Sequence, residues 1–192
     1  MSDQPSSQPS SSKLFTQLAI AQLGNPVLRQ TAQPITDPND PQVQALIDSL
    51  IDVLYQTQGV GIAAPQVAVS QQIIIVASHP NARYPNAPEM EPTPMINPRL
   101  VSHGEEVVKD WEGCLSVPGI RGQVPRYESI EVTYCDRHGR PQHRELTSFI
   151  ARIFQHECDH LTGHVFLDRL ETVRDIITDQ EYLKRLTPDH PI

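Results

Sequence analysis

The sequence lacks several features that would place it in a specialised class of protein. It holds three cysteines among 192 residues, an odd number with no paired spacing, so we expect no disulfide framework. A reducing cytoplasm is the simplest location for such a chain. No apolar run approaches the ~20 residues of a membrane span, so we predict no membrane association.

Positive charge is also scarce. The sequence has 15 Lys and Arg against 23 Asp and Glu, which gives a formal net charge of -8. No basic cluster exceeds a few residues, and this argues against nucleic acid as the main partner. The pair Lys184-Arg185 near the C-terminus is too small to predict a docking patch for an acidic macromolecule.

The N-terminal segment MSDQPSSQPSSSK lacks the marks of a targeting signal. It has neither the basic start and apolar block of a secretory signal nor the arginines of an organellar transit peptide. We predict a disordered tail rich in Ser, Gln and Pro over residues 1–13. Residues 14–192 are then one catalytic domain, long enough to bury a core. We expect a cytoplasmic location of the bacterial type rather than an organellar one.

Helix and strand signals follow an order typical of an α+β protein. Asp40-Pro41 supplies a cap and a first-turn proline for a helix that runs to about Gln56. A buried strand is predicted at 73–77 and an irregular proline-rich loop at 79–94. The later predicted elements are strands at 95–101, 105–109 and 129–135, a helix capped by Thr147 or Ser148 that stops near Gly163, and an outer helix at 173–186.

The most informative motif is His156-Glu157-Cys158-Asp159-His160, which reads H-E-x-x-H within a helix-forming run. Two histidines four residues apart lie on one helix face, where both can bind one metal ion. The glutamate can take a proton from a metal-bound water, so the motif predicts hydrolysis by activated water. We predict an α+β fold in which short mixed or antiparallel sheets pack around this helix. Its apolar residues recur at helical spacing and indicate burial: Phe149, Ile150, Ile153, Phe154 and Leu161.

A catalytic metal site usually has three protein ligands, so the motif needs one more. His164 lies eight residues beyond the first histidine, a rise of ~12 Å along a helix, which is too far unless the helix breaks sharply. Glu171 could serve in a thermolysin-like arrangement, but its spacing is shorter than that arrangement uses. Cys114, in the small-residue turn Glu112–Ser116, is the stronger candidate because a thiolate there could point toward the helix.

Three segments, in this order and with these separations, resemble the peptide deformylase family. They are GVGIAAPQ at Gly59–Gln66, EGCLS at Glu112–Ser116 and QHECDH at Gln155–His160. The resemblance runs from about Leu18 to about Leu170. It implies an α+β hydrolase that removes the formyl group from the initiator N-formylmethionine of newly made polypeptides and releases formate.

The resemblance also implies a cofactor and partners. The cofactor would be one divalent ion per chain, Fe²⁺ in the physiological state, with Zn²⁺, Ni²⁺ or Co²⁺ as substitutes. Cys114, His156 and His160 would be its ligands. Glu157 would be the general base and then the general acid. The partners would be N-formylmethionyl peptides and nascent chains, and the resemblance allows a transient contact with the ribosome.

The remaining site positions follow from the same resemblance. The Gln66 side chain and the Leu115 backbone N–H would stabilise the oxyanion that forms during attack. Gly61 would pair with the substrate backbone, and Arg121 would lie near the far end of the bound peptide. The residues implied around the methionine side chain are Val60, Phe149 and Ile153.

Two other functions could use the same motif. A zinc endopeptidase would take Glu171 or His164 as its third ligand. A non-catalytic metal module would have four protein ligands and no use for Glu157. A ligand role for Cys114 therefore separates a deformylase from the endopeptidase, and a catalytic role for Glu157 separates it from the module.

Overall fold

The computed structural model of the chain describes residues 18–186, which form two sheets and three α-helices. None of these helices is long and apolar enough to cross a membrane. The predicted tail over residues 1–13 lies outside the described residues, as do both ends of the predicted 14–192 domain. The elements in chain order are α1 (Pro41–Thr57), β1 (Gly61–Ala63), β2 (Ile73–Ser78), β3 (Met90–His103), β4 (Val107–Cys114), β5 (Val117–Tyr127), β6 (Ser129–Cys135), β7 (Pro141–Thr147), α2 (Ser148–Leu161), β8 (Ile176–Thr178) and α3 (Asp179–Arg185).

The strands form a five-stranded sheet in the order β1-β2-β3-β6-β7 and a three-stranded sheet in the order β4-β5-β8. All neighbouring strands pair antiparallel. The predicted α+β class with short antiparallel sheets is confirmed. The edge strands β1 and β4 both border the cleft described below, so the two sheets meet at that cleft.

Helix α2 carries the H-E-x-x-H motif and lies between the sheets. Its residues Ile153, Phe154 and Leu161 are at most 4% exposed and pack against the five-stranded sheet. On its other side, Arg152 donates hydrogen bonds of 2.7 and 2.8 Å to the carbonyls of Val108 and Val124 in the three-stranded sheet. Apolar packing thus holds the helix to one sheet and hydrogen bonds hold it to the other.

Strand β2 explains the continuous apolar run in the middle of the sequence. Ile73 and Ile75 pack in the same apolar cluster as residues of α1, whereas Ile74 and Val76 pack in the cluster that contains α2. Successive side chains of a strand point to opposite faces. Because a helix covers each face, every position is buried, and the sequence shows no alternation of apolar and polar residues.

The proline-rich loop is shorter than the predicted 79–94. Strand β3 begins at Met90 and includes Pro92 and Pro94. It pairs with β2 from its start but with β6 only from Ile96 onward, so its first residues lie at a sheet edge. Edge positions tolerate proline because one side of the strand needs no N–H donor.

The predicted outer helix at 173–186 is wrong over its first half. Residues Ile176–Thr178 form β8 and pair with β5, and only Asp179–Arg185 are α-helical. The β-branched pair Ile176 and Ile177 suits a strand, and β5 offers a free edge for it. Tertiary hydrogen bonding therefore overrides the helical spacing of the apolar residues.

Three further strands, β1, β5 and β7, were not predicted, and β4 starts and ends later than the predicted 105–109. Thr147 is the N-cap residue of α2, one of the two predicted positions, but its side chain makes no capping hydrogen bond. The Ser148 hydroxyl donates to Glu128 at 2.5 Å. Gly163 follows the helix with φ +78°, as the predicted stop requires.

Candidate metal centre

Cys114, His156 and His160 come together between the two sheets. Cys114 is the last residue of β4, and the two histidines lie one turn apart on α2. Their ligand atoms all lie within 4.8 Å of one another, and Cys114 Sγ is 3.3 Å from His160 Nε2. One thiolate and two imidazoles form a donor set that suits both Zn²⁺ and Fe²⁺. The three residues therefore fit a single divalent cation.

The other candidates for the third ligand lie elsewhere. His164 follows the end of α2, and its Nδ1 is 3.1 Å from the Thr162 hydroxyl. Glu171 accepts a hydrogen bond of 2.7 Å from Lys109, and its side chain is 63% exposed. Neither residue belongs to the cluster around the two histidines. The geometry thus favours Cys114 over the ligands that an endopeptidase would need.

Glu112 orients the first histidine of the motif. Its Oε2 lies 2.8 Å from His156 Nδ1, so that nitrogen donates to the carboxylate and Nε2 is left for a metal. A carboxylate in this position sets the tautomer of a ligating histidine and raises its basicity. Sequence analysis assigned Glu112 no role. Its place two residues before Cys114 in the EGCLS segment was the signal that could have found it.

Two buried arginines hold Glu112 in turn. Arg126 donates to both carboxylate oxygens at 2.9 and 3.0 Å, and Arg152 donates to Oε1 at 2.9 Å. Arg126 also donates to Asp159 at 2.7 Å, and Asp159 accepts further hydrogen bonds from Arg169. The residues at the centre of this network are at most 7% exposed: Glu112, Arg126, Arg152 and Asp159. The pKa of Glu112 lies far below its usual value, because hydrogen bonds and charges from His156 and Arg126 outweigh the effect of burial.

Cys114 and His156 shift each other's pKa. Burial opposes ionisation of Cys114, but the two neighbouring imidazoles outweigh it and lower the pKa of the thiol well below its usual value. Burial likewise opposes a charged His156, but Cys114 and Glu112 raise its pKa well above the usual value. Attraction between the thiol and the imidazoles thus contributes to both shifts. Metal binding requires a thiolate and neutral imidazoles, so a bound cation would compete with the proton of His156.

Glu157 faces the cleft from the same helix. It is 4% exposed, and its Oε2 has no hydrogen-bond partner among the described residues. Burial raises its pKa to about 7 against the opposing charges of the two histidines. A Cβ at Gly61 would overlap the Glu157 carboxylate and come within 2.8 Å of Ile153 Cγ2. Gly61 therefore gives the carboxylate the room it occupies.

Gln66 approaches the centre from the short 3-10 helix Ala64–Val67, which follows β1. Its Oε1 accepts a hydrogen bond of 2.9 Å from the backbone N–H of Ala63, which orients the amide. Its Nε2 then lies 3.3 Å from Cys114 Sγ and 3.3 Å from the Ser116 hydroxyl. Ser116 is fully buried and was not singled out from the sequence. The Gln66 amide is thus a positioned, uncharged donor beside the metal ligands.

An open cleft leads to the centre, with an empty volume of about 990 Å³ that includes solvent at its mouth. Its lining combines small residues at 59–61, apolar side chains of α2, and residues of the loop before β3. Arg121 is 3% exposed and forms an ion pair of 2.8 Å with Asp179. The residues predicted to contact substrate that line the cleft are Val60, Gly61, Gln66, Leu115, Arg121, Phe149 and Ile153.

Fold and site together define the class of protein, an α+β hydrolase in which an H-E-x-x-H helix faces a cysteine. The sequence model of the polypeptide deformylase family matches residues 17–175. Peptide deformylase 2 of Nostoc sp. is 58% identical over 170 residues, which are 88% of this chain and 95% of that relative. The chain belongs to the polypeptide deformylase family.

Solved structures agree with this assignment. The class I type b peptide deformylase of Acinetobacter baumannii with bound Met-Ala-Ser is 42% identical, with a TM-score of 0.78 over 80% of this chain and 98% of that one. A peptide deformylase of Synechococcus elongatus in complex with actinonin is 34% identical, with a TM-score of 0.73 over 88% and 85% of the two chains. The predicted enzyme, which removes the N-formyl group from nascent polypeptides, is confirmed.

Proposed function

We propose that Cys114, His156 and His160 hold one divalent cation and that Glu157 transfers the protons of deformylation. The observation that carries this proposal is the convergence of three ligand atoms within 4.8 Å of one another. Beside them is the buried carboxylate of Glu157, whose Oε2 has no hydrogen-bond partner within residues 18–186. Three protein ligands are the usual number in a catalytic metal site. Bound there, the cation would lower the pKa of a coordinated water from ~15.7 toward ~7.

The side chains of the chain itself then perform the remaining steps. Glu157 accepts the proton of the attacking water and returns it to the departing amine, as base and acid in turn. The formyl oxygen gains negative charge during attack. The Gln66 amide and the Leu115 backbone N–H donate hydrogen bonds to this oxygen. The Gln66 amide is oriented for this role in advance, because its Oε1 accepts from the Ala63 N–H.

The substrate peptide lies along the cleft in this proposal. Gly61 is on the edge strand β1, so an extended peptide can pair with its backbone as an added strand. The methionine side chain packs against Val60, Phe149 and Ile153, which line the cleft beside Glu157. Arg121 lies toward the far end of the peptide.

We also propose Fe²⁺ as the physiological ion, with Zn²⁺, Ni²⁺ or Co²⁺ able to replace it. Ferrous iron reacts with oxygen, and this reaction can oxidise its thiolate ligand, whereas Ni²⁺ is not oxidised under the same conditions. The iron-loaded enzyme should therefore lose activity in air, whereas the nickel-loaded enzyme should keep it. Equal activity of the iron form with and without oxygen contradicts this choice of ion. The proposed setting is the cytoplasm, with transient contact to the ribosome.

One assay tests the proposed function directly. The purified enzyme is given formyl-Met-Ala-Ser and an unformylated peptide, and formate release and internal cleavage are measured together. We expect formate without internal cleavage. Internal cleavage without formate would support the endopeptidase. Cys114→Ala adds a second criterion, because it should remove the bound metal from a deformylase and leave it in an enzyme that uses Glu171 or His164.

A further inference from the structure

The loop before β3 forms one wall of the cleft through Arg83 and Tyr84. Its tip is an ordered turn, in which the backbone groups of Asn81 and Tyr84 bond to each other at 3.1 and 3.2 Å. The Asn81 side chain also accepts from the N–H groups of Arg83 and Tyr84 at 2.9 and 3.0 Å. Tyr84 is thus presented to the cleft from a defined turn.

Two further contacts set the direction of this wall. The Arg83 guanidinium donates to the carbonyls of Thr57 and Gln58 at the C-terminal end of α1, at 3.0 and 2.6 Å. The Tyr84 ring lies 5.0 Å from the ring of Phe149, which lines the cleft beside Glu157. The loop is therefore tied to α1 on its outer side and to α2 on its inner side.

Residues 176–185, which we call the C-terminal segment, also contact this loop. Tyr182 donates its hydroxyl to the carbonyl of Arg83 at 3.2 Å. Its ring lies 4.3 Å from the Arg121 guanidinium carbon, and Asp179 accepts from Arg121 Nε at 2.8 Å. Arg121 in turn donates to the Tyr84 hydroxyl at 3.2 Å. Arg121 is thus buried between the loop and the C-terminal segment and connects them.

Arg121 packs against the residue that precedes the metal ligand Cys114 in the chain. A Cβ at Gly113 would be 3.2 Å from the guanidinium carbon of Arg121, and Gly113 immediately precedes Cys114. The charge of Arg121 is already paired with Asp179. Trp111, Pro118 and Ile120 also line the cleft and add apolar surface to it.

We propose that Tyr84 determines specificity for the residue that follows formylmethionine, favouring an apolar side chain, and that Tyr182 is a positioning residue that holds Tyr84 in place. The inference depends on the proposed function, because it assumes that the formyl group lies at Glu157. The Tyr84 ring lies between Phe149, which the proposed function puts at the methionine side chain, and Arg121, which it puts toward the far end of the peptide. It therefore borders the position that follows the methionine. The aromatic ring offers apolar area at that position without an unpaired charge.

The role of Tyr84 is tested with formyl-Met-Leu-Ser and formyl-Met-Ala-Ser. The wild-type enzyme should prefer the leucine peptide by about ten-fold in kcat/KM, the effect of burying roughly two methylene groups. Tyr84→Ala should bring the ratio close to one. Tyr55→Ala is the matched control, because that tyrosine is 60% exposed on α1 and lies outside the cleft. A ratio that Tyr84→Ala leaves unchanged overturns the inference.

The role of Tyr182 is tested by Tyr182→Phe, which removes a single hydroxyl, with Tyr55→Phe as its control. Loss of one hydrogen bond should raise the hydrogen-exchange rates of the Tyr84 and Ala87 amides about five-fold. KM for the leucine peptide should rise about three-fold while kcat stays the same. Unchanged exchange and KM contradict the positioning role. Global unfolding of Tyr182→Phe also contradicts it, because the segment would then be part of the core.

The wild-type measurement separates this inference from the proposed function. If the wild-type enzyme releases no formate from either peptide, the proposed function fails. If it releases formate and Tyr84→Ala does not alter the preference, only the specificity role of Tyr84 fails.

Discussion

The two walls of the cleft are built in different ways. The wall with the metal ligands is held by charge-assisted hydrogen bonds among Glu112, Arg126, Arg152 and Asp159, all of them buried. The wall formed by the loop is held by backbone carbonyls, aromatic rings and one ion pair whose carboxylate side chain is 45% exposed. Interactions between charges are stronger away from water. In the proposals above, the chemistry lies on the wall with the buried charge-assisted contacts, and selection of the residue after the methionine lies on the wall whose ion pair is partly exposed.

The largest effect is expected for a substitution of Glu157, the reacting group on the wall with the metal ligands. Glu157→Gln keeps the shape of the side chain but removes the proton acceptor, so kcat should fall by about 10³-fold. The bound metal should remain, because residue 157 is outside the ligand cluster. Turnover and metal content are measured on the same preparation. Glu171→Gln, on the exposed surface, is the matched control, and a similar loss there would contradict the special role of Glu157.

The next largest effect on kcat is expected at Gln66, the uncharged hydrogen-bond donor beside the metal ligands. Gln66→Met keeps the length of the side chain and removes the amide, so kcat should fall about 100-fold with little change in KM. Ser116→Ala removes a neighbour of the same amide and should cost less. A rise in KM with kcat unchanged would assign Gln66 to ground-state binding instead.

A smaller effect, on metal affinity, is expected at Glu112, which contacts the ligand His156. Glu112→Gln replaces the carboxylate that contacts His156 and two arginines with a neutral amide, so metal affinity should fall about ten- to 100-fold. Zinc affinity is measured by competition with a chelator. If zinc affinity is unchanged, Glu112 stabilises the fold rather than the metal centre.

The smallest effect belongs to the second wall. Arg83→Met removes hydrogen bonds to the carbonyls at the end of α1. The free energy of unfolding should fall by about 1 kcal/mol, as for partly exposed hydrogen bonds, and zinc affinity should not change. Denaturant unfolding and the same chelator competition provide the two values. A drop in zinc affinity would show that the walls are coupled, contrary to the difference described above.

Sequence patterns predicted the parts of the molecule in which local spacing carries the information. The helical spacing around His156 and His160 was enough to predict a buried helix with both imidazoles on one face. The Asp40-Pro41 start of α1 was also readable, and the Asp40 side chain does accept from the Gln42 N–H at 2.8 Å. In both cases, the residues that determine the structure lie within two helical turns of each other.

Sequence patterns failed where distant residues decide. Ile176 and Ile177 have apolar spacing that fits a helix, yet the free edge of β5 makes them a strand. Glu112 and Arg126 are ordinary charged residues in the sequence, and their pairing needs β4 and β5 to lie side by side. Ser116 has no local pattern that indicates its contact with Gln66.

The sequence by itself determined the H-E-x-x-H helix, the family resemblance and thus the reaction, because these follow from residue identity and from spacing along one chain segment. The sequence also favoured Cys114 over His164 and Glu171 as the third ligand. Only the tertiary structure showed that its sulfur lies within 4.8 Å of ligand atoms of both histidines, and that Tyr84 and Tyr182 enclose Arg121. These contacts join residues far apart in the chain. Their distances depend on how the sheets pack around α2, which no local pattern encodes.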